Sequence, residues 1–486
     1  MMRRAWLIVA VAAALAGIPS AEGPRLRDPL LVALVSETGA APPEFAADVL
    51  TRLATSDRIA DPEWKRELLE LAFDRAAIAH EPFRRSAGAV PPDSRTAALL
   101  QAYDIRLDRV SLQARVAVGM LPVDAERAHE MFDWIDPHFG PTSCDDLLVA
   151  NADEYYGALT RLALGASRLS AYGRANAISY LGFYLGRARL PSEMPALVRS
   201  VRAVKPSAME LAYLDGVLRF ALDHAVKDVR GFETTSLELL DHVGRLADEE
   251  SQAHFSPSAL VYVVRRYLVE QLKSARCADS VAEAPIVATF NALRSRPSVD
   301  HPPDAITAKD MAIVGVSGAA RIQPYWRSVD ARRLHDDLIE LRGSDRQPVP
   351  ESVRRTIEWE RKADAFLGDV DRWADGSGET AADYFYQKSV LLALLLDAAP
   401  QAPLRDRAAR LLVEHLRHSL VMQDRPALWF LPVARLLQDA RPEARRDLVS
   451  AMERSGHPVL ALYAHAERRM PPPRRDQQPR APVRRP

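Results

Sequence analysis

Between one turn signal and the next, apolar residues recur at i, i+3 or i+4 and i+7 through nearly the whole chain, and strand-like alternation is almost absent. A stripe of that period must be buried against a neighbouring element, and with no sheet to cover it the partner has to be another helix. Asp61-Pro62 opens one such helix: Asp61 can cap it, Pro62 suits its first position, and Trp64, Leu68 and Leu71 follow along one side. Ser256-Pro257 opens a second, where Leu260, Val261, Val263, Val264, Tyr267, Leu268 and Leu272 cover most of the circumference and predict packing on two sides. Thr380 opens a third, with Tyr384, Lys388, Leu391, Leu392 and Leu395 along it. The same spacing predicts helices over 42–55, 123–135, 145–166, 172–187, 208–224, 235–247, 351–373, 404–418 and 426–437.

Composition agrees with a helical chain. Glycine accounts for 21 of the 486 residues and proline for 35, so glycine lies below its usual ~7% while proline marks many turns. This excludes a collagen-like chain and disfavours both β-rich folds and glycine-lined phosphate loops; neither Gly-x-x-x-x-Gly-Lys nor Gly-x-Gly-x-x-Gly occurs. The expected class is all-α, either an irregular α-solenoid of stacked αα-hairpins or a multi-helix globular fold. No repeat of fixed period is found, the 34-residue tetratricopeptide pattern included. The helical pattern weakens around Asp300–Ile322 and again at Gly343–Pro350. With the boundary at the second stretch, a helical-array domain spans 22–345 and a C-terminal helical domain 346–468.

Met-Met-Arg-Arg, an apolar run from Ala5 to Gly17 and a small-residue exit at Ser20-Ala21 read as a signal peptide over 1–21. The run is too short for a membrane span of ~20 residues, and no cysteine near the exit suits lipid attachment. Val390–Leu396, the most apolar later stretch, is shorter still. The expectation is therefore a soluble, exported protein, periplasmic or secreted. In that oxidising setting Cys144 and Cys277, the chain's two cysteines, are expected to form one disulfide.

The formal net charge is −1; without Arg3 and Arg4 it is −3, and the tail from Pro471 carries five arginines against Asp476, leaving −7 on the body. An acidic body is a poor match for nucleic acid. The Pro/Arg-rich tail over 469–486 has no apolar periodicity, so it is expected to be disordered. Its charge suits a weak contact with an anionic envelope surface, although such tails are more often only solvated ends.

Three stretches, Pro42-Pro43-Glu44-Phe45-Ala46-Ala47-Asp48, Glu63-Trp64-Lys65-Arg66-Glu67-Leu68-Leu69 and Ala382-Asp383-Tyr384-Phe385-Tyr386-Gln387-Lys388, resemble a group of exported all-helical bacterial proteins of unassigned function. The resemblance implies an α-only fold and export. It carries over no site.

No catalytic motif emerges. Gly315-Val316-Ser317-Gly318 lacks the spacing of a nucleophile elbow, and with seven lysines against 57 arginines a desolvated catalytic lysine has few candidates. His415 and His418 stand i, i+3 without the glutamate spacing of a zinc protease, which reads as a surface helix carrying two histidines. Neither Asp223-His224 nor Asp241-His242 can pair internally on a helix, which leaves only dyads across packed helices. The run Asp369, Asp371, Asp375–Glu379 departs from a calcium loop and reads as a helix end and turn. No metal or cofactor is expected.

The most suggestive residues are aromatic. Tyr155, Tyr156, Tyr172, Tyr180, Phe183 and Tyr184 fall in two consecutive helices, and Gly182 with Gly186 would admit a close helix or ligand. Tyrosines of this kind line sugar- and peptide-binding grooves and equally serve ordinary inter-helix packing. The leading expectation is an exported non-catalytic helical scaffold whose concave surface, with Tyr155, Tyr156, Tyr172, Tyr180 and Tyr184 as candidate residues, binds a protein, peptide or glycan partner. The alternative is an exported hydrolase or lyase acting on cell-envelope glycan or peptide, with acids such as Asp145, Asp146 and Glu154 near the tyrosines.

Overall fold

Many of the helices begin where the sequence supplies a proline or a capping side chain. The computed structural model describes residues 27–81, 84–86, 95–145, 148–167, 171–274, 276–278, 283–311, 316–317, 326–344, 347–374 and 380–470. The expected signal peptide and the turn 375–379 lie outside these, as does the expected tail from residue 471 on; its first two positions are instead ordered, Arg469 closing the last helix and Met470 buried. The fold is all-α, and the described residues form 22 helices. In chain order they are α1 (Pro29–Glu37), α2 (Pro43–Ala54), α3 (Pro62–Ala77), α4 (Arg95–Tyr103), α5 (Arg109–Met120), α6 (Ala125–Asp133) and α7 (Asp153–Ser167). Next come α8 (Ala171–Leu185), α9 (Met194–Ala203), α10 (Ala208–Asp223), α11 (Val229–Gln252), α12 (Ser258–Leu272), α13 (Glu283–Arg294) and α14 (Val329–Arg342). The remainder are α15 (Glu351–Arg354), α16 (Ile357–Arg372), α17 (Ala381–Ala398), α18 (Ala402–Arg417), α19 (Val421–Asp424), α20 (Pro426–Asp439), α21 (Pro442–Arg454) and α22 (Pro458–Arg469).

Proline occupies one of the first two positions in α1, α2, α3, α9, α18, α20, α21 and α22, where its missing N–H costs no helical hydrogen bond. Asp61 accepts from the Glu63 amide at 3.0 Å and Thr380 from the Asp383 amide at 3.2 Å, as their sequence positions predict. Two expected helices differ. The segment expected over 145–166 becomes helical only at Asp153: its first part is a turn at Cys144 and a short strand β2 (Leu148–Ala150) paired antiparallel with β1 (Arg84–Ser86). The expected 351–373 helix breaks after Arg354, because Thr356 leaves helical geometry and caps α16 through the Trp359 amide at 3.2 Å.

The helices pack in two rows. In one, α3, α5, α7, α9, α11 and α13 lie successively against each other; beside it, α8, α10 and α12 do the same, with α6 packed on α5 and α7. The C-terminal helices continue the arrangement: α14 packs on α16 and α17, α17 on α18 and α20, α18 on α21, and α21 on α22. The main hydrophobic cluster runs from Leu31 to Met470, and helices on either side of residue 345 share it; Ala47, Ala76 and Leu112 form a small second one. A second, parallel strand pair joins β3 (Arg276–Cys277) to β4 (Val316–Ser317). Cys144 and Cys277 are bonded with a Cα–Cα distance of 5.2 Å across 133 residues of sequence, a loop long enough for ~4–5 kcal/mol in the chain-entropy account.

The C-terminal helices α20 and α22 meet the N-terminal helix α2. Phe45 is fully buried there, edge-on to Trp429 and Phe430 of α20 at 5.8 and 5.4 Å and to Tyr463 of α22 at 6.0 Å. One turn on, Asp48 accepts from the Tyr463 hydroxyl at 2.8 Å and from Arg115 of α5 at 2.9 Å. Burial alone would raise the Asp48 carboxyl, but Arg115 and Arg52 together hold it below the usual carboxylate range. Arg52 in turn pairs with Glu467 of α22 at 2.6 Å. Phe45→Ala should lower the unfolding free energy by ~3–5 kcal/mol, read as a shifted denaturant midpoint at unchanged slope; a loss under about 0.5 kcal/mol, the size of a surface substitution, would contradict this closure.

Candidate functional site

The tyrosines singled out by the sequence lie between helices. Tyr155, Tyr156 and Tyr184 are buried, and Tyr180 is half-buried; the Tyr172 side chain lies outside the described residues. Tyr155 stacks on Phe132 of α6 at 4.8 Å, and Tyr156 donates to Glu193 at 2.7 Å. Tyr180 and Tyr184 both donate to Asp133 at the end of α6, the former at 2.8 Å. Burial pushes all four phenols above their ordinary value, so they remain protonated donors. Glu193 also accepts from the Arg189 and Leu190 amides at 2.9 and 2.8 Å, which ties the turn between α8 and α9 to Tyr156.

Above this layer lies an exposed aromatic face that the tyrosine count did not single out. Phe183 on α8 is 60% exposed, Met209, Tyr213 and Phe220 on α10 are 85%, 46% and 46%, and Tyr262 on α12 is 60%. Met209, Tyr213, Gly216 and Phe220 follow at i, i+4, i+7 and i+11, a ridge on one side of α10. The opposite side holds Leu211, Leu214, Leu218 and Leu222 in the core. Tyr213 reaches across to α8, where a Cβ at Gly182 would strike its hydroxyl; the close approach that Gly182 permits is made by this neighbouring helix. Arg187 lies over Phe183 at 5.5 Å and Arg189 over Phe220 at 5.5 Å, while the His224 ring stacks on Phe220 at 4.0 Å. Arg266 of α12 pairs with Asp223, and Tyr262 stands one turn before it. The signal was present in the sequence: α10 is apolar on two opposite sides, and only one can face the core.

Two buried acids lie beneath. Asp215 accepts from Arg219 at 2.8 Å, and Glu250 of α11 is fully buried with neither carboxyl oxygen hydrogen-bonded among the described residues. Burial first, then the charge of Asp215, raises Glu250 to about 8.

The remaining candidates are held in local structure. Glu154 is ion-paired to Arg106, Asp145 lies in an exposed turn, and Asp146 lies outside the described residues. His242 faces Glu238 at 3.8 Å, and the His224 ring nitrogen bonds the Phe220 carbonyl at 2.8 Å, so neither Asp-His pair forms a dyad. His418 is exposed, but His415 is largely inside: its ring lies parallel to Phe385 at 5.2 Å and donates from Nε2 to the Phe385 carbonyl at 3.1 Å. Burial lowers it to about 4, so it is neutral at pH 7 and keeps Nδ1 as an acceptor. It lines a half-open pocket of about 160 Å³ with Asp371, Lys388 and Glu414. Burial lowers the Lys388 pKa too, yet its three N–H groups go to the carbonyls of Trp373 (2.7 Å) and Asp371 (3.2 Å) and to the Tyr384 hydroxyl (3.1 Å), closing the C-terminus of α16. Among the described residues no group of three or more His, Cys, Asp or Glu could hold a metal, and no helix is long and apolar enough to cross a membrane.

Compared with protein-family models, curated proteins and solved structures, the chain matches none. Function therefore rests on the geometry above.

The acids under the face set a pH dependence. With its folded pKa raised from 4.5 to about 8, Glu250 contributes stability that is whole below the unfolded value and is lost as the pH rises through the folded one. Glu250→Gln should flatten the fall in unfolding free energy between about pH 5 and 8 and be the more stable form at pH 8; an unchanged profile would contradict the assignment.

Proposed function

We propose that this protein is an exported, non-catalytic helical scaffold, an irregular α-solenoid whose outward helix faces bind a protein, peptide or glycan partner. The observation that carries the reading is the aromatic face on α8, α10 and α12, where Phe183, Tyr213, Phe220 and Tyr262 stay exposed beside a well-buried core. Large apolar residues gathered on one face, rather than scattered singly, mark an interaction site. The i to i+2 packing along each row supports the solenoid, and the disulfide together with the sequence of residues 1–21 supports export. The resemblance to exported all-helical bacterial proteins belongs to the same proposal. The alternative, an envelope hydrolase or lyase, draws on the pocket at His415, although the lysine beside it is committed to capping a helix.

The test is capture from the native exported fraction by the parent chain and by a Phe183→Ala/Phe220→Ala variant whose thermal transition is unchanged. A partner retained by the parent and lost by the variant is expected. Equal retention by both, or cleavage of envelope material by the purified parent, would contradict the scaffold reading.

A further inference from the structure

The scaffold reading leaves the chemistry of the partner open, and this inference rests on that reading. We infer that the α8–α10 face docks an amphipathic α-helix of a partner protein that carries carboxylates beside its apolar stripe. Three observations lead there.

The first is periodicity. The outward ridge Met209, Tyr213, Gly216, Phe220 is spaced i, i+4, i+7, i+11, and the Leu211, Leu214, Leu218, Leu222 ridge by which α10 packs inside the protein is spaced i, i+3, i+7, i+11, so both follow the same helical stripe on opposite sides. Ridges of that inclination interdigitate with those of another helix. A helical surface also offers no free backbone N–H or C=O to an extended chain, whereas a docking helix satisfies its own.

The second is the state of the rings. Phe220 has the His224 ring stacked at 4.0 Å and the Arg189 guanidinium 5.5 Å from its centroid, and Phe183 has Arg187 over it. A pyranose binds by laying its C–H face on an open ring face, and the two phenylalanines of this surface already carry a stacked imidazole or a guanidinium. Apolar side chains need only the ring edges and the ridge between them, so the geometry favours a peptide over a glycan.

The third is charge. Arg187 and Arg189 lie over the rings of the face, while Arg219 and Arg266 on its helices are paired with Asp215 and Asp223, and Glu210 with Arg174, which leaves Glu270 as the exposed acid on the same helices. Among the described residues Arg187 has no carboxylate partner: its guanidinium lies over Phe183 and Tyr184. Arg189 donates from Nη1 to the carbonyls of Gly186 and Ala188 at 2.8 and 2.7 Å. A locally cationic rim on a chain of net negative charge selects an acidic partner and repels a basic one.

The probes are a leucine-striped peptide of about 20 residues with flanking glutamates, the same peptide with lysines in their place, and an oligoglucuronate, each titrated against the full-length chain by fluorescence anisotropy. The glutamate peptide should bind, weaken as salt rises, and bind at least about tenfold more tightly than the lysine peptide. Arg187→Glu leaves every ring in place and should weaken the glutamate peptide by about tenfold at an unchanged thermal midpoint; Phe220→Ala should do the same by removing the ridge. The inference is overturned if the glutamate peptide does not bind, if either variant binds it as well as the parent, or if both peptides bind equally. It is also overturned if oligoglucuronate occupies the face instead, or if the parent is a dimer that Phe220→Ala dissociates. In any of these cases a partner still lost from the Phe183→Ala/Phe220→Ala capture would leave the scaffold reading standing, and its absence there would end both.

Discussion

Asp48 is where the N-terminal helix α2 and the C-terminal helix α22 are held together. It sits on the second turn of α2 inside a hydrophobic contact made by Phe45, Trp429, Phe430 and Tyr463, and it accepts from Tyr463 of α22 and Arg115 of α5. A carboxylate in such a place is tolerable only with its oxygens satisfied, and its two partners come from helices more than three hundred residues apart. The interaction therefore specifies an arrangement as well as adding stability: α22 must lie beside α2, and α5 on its other side. Glu81 works in the same sense, accepting from the Ala427 amide at the first turn of α20 at 2.7 Å, and burial raises it to about 7.

With α20 and α22 closed on α2, the rows run away from it in both directions. Each helix of the two rows buries an inward stripe and packs on the helix two places before or after it in sequence. What remains outside is the side of a helix that no neighbour covers. For most helices here that side is polar, as the amphipathic pattern requires. For α10 it is Met209, Tyr213 and Phe220, and the adjoining helices add Phe183 and Tyr262. The tyrosines beneath, with Asp133 and Glu193, fix how α6, α7, α8 and α9 meet, so their hydroxyls serve the rigidity of the face more than its chemistry.

The class of fold was legible because it depends on local periodicity: Trp64, Leu68 and the buried circumference of α12 lie where their spacing placed them. The disulfide was legible from the count of two cysteines. The beginning of α7 was not, because Leu148–Ala150 pairs with Arg84–Ser86, a contact of long sequence separation that outweighs helical spacing. The candidate site was legible by half. Phe183 was noticed among the aromatic residues of its helix, but Tyr155, Tyr156 and Tyr184 resemble it in composition and differ from it only in which way the helix turns them. The two-sided apolarity of α10 was visible in the residues; which side would be covered depended on where α12 and α8 came to lie. His415 shows the same limit, since its burial is set by Phe385 on another helix.

Native-state hydrogen exchange on the full chain tests the closure most directly. Slowly exchanging amides of α2, α20 and α22 should share one opening free energy and lose protection together in Asp48→Asn, because Asp48 sits inside the aromatic contact that joins all three. If α20 and α22 open well below α2 in the parent, or if the substitution leaves them unchanged, these helices are independent and the closure is contradicted.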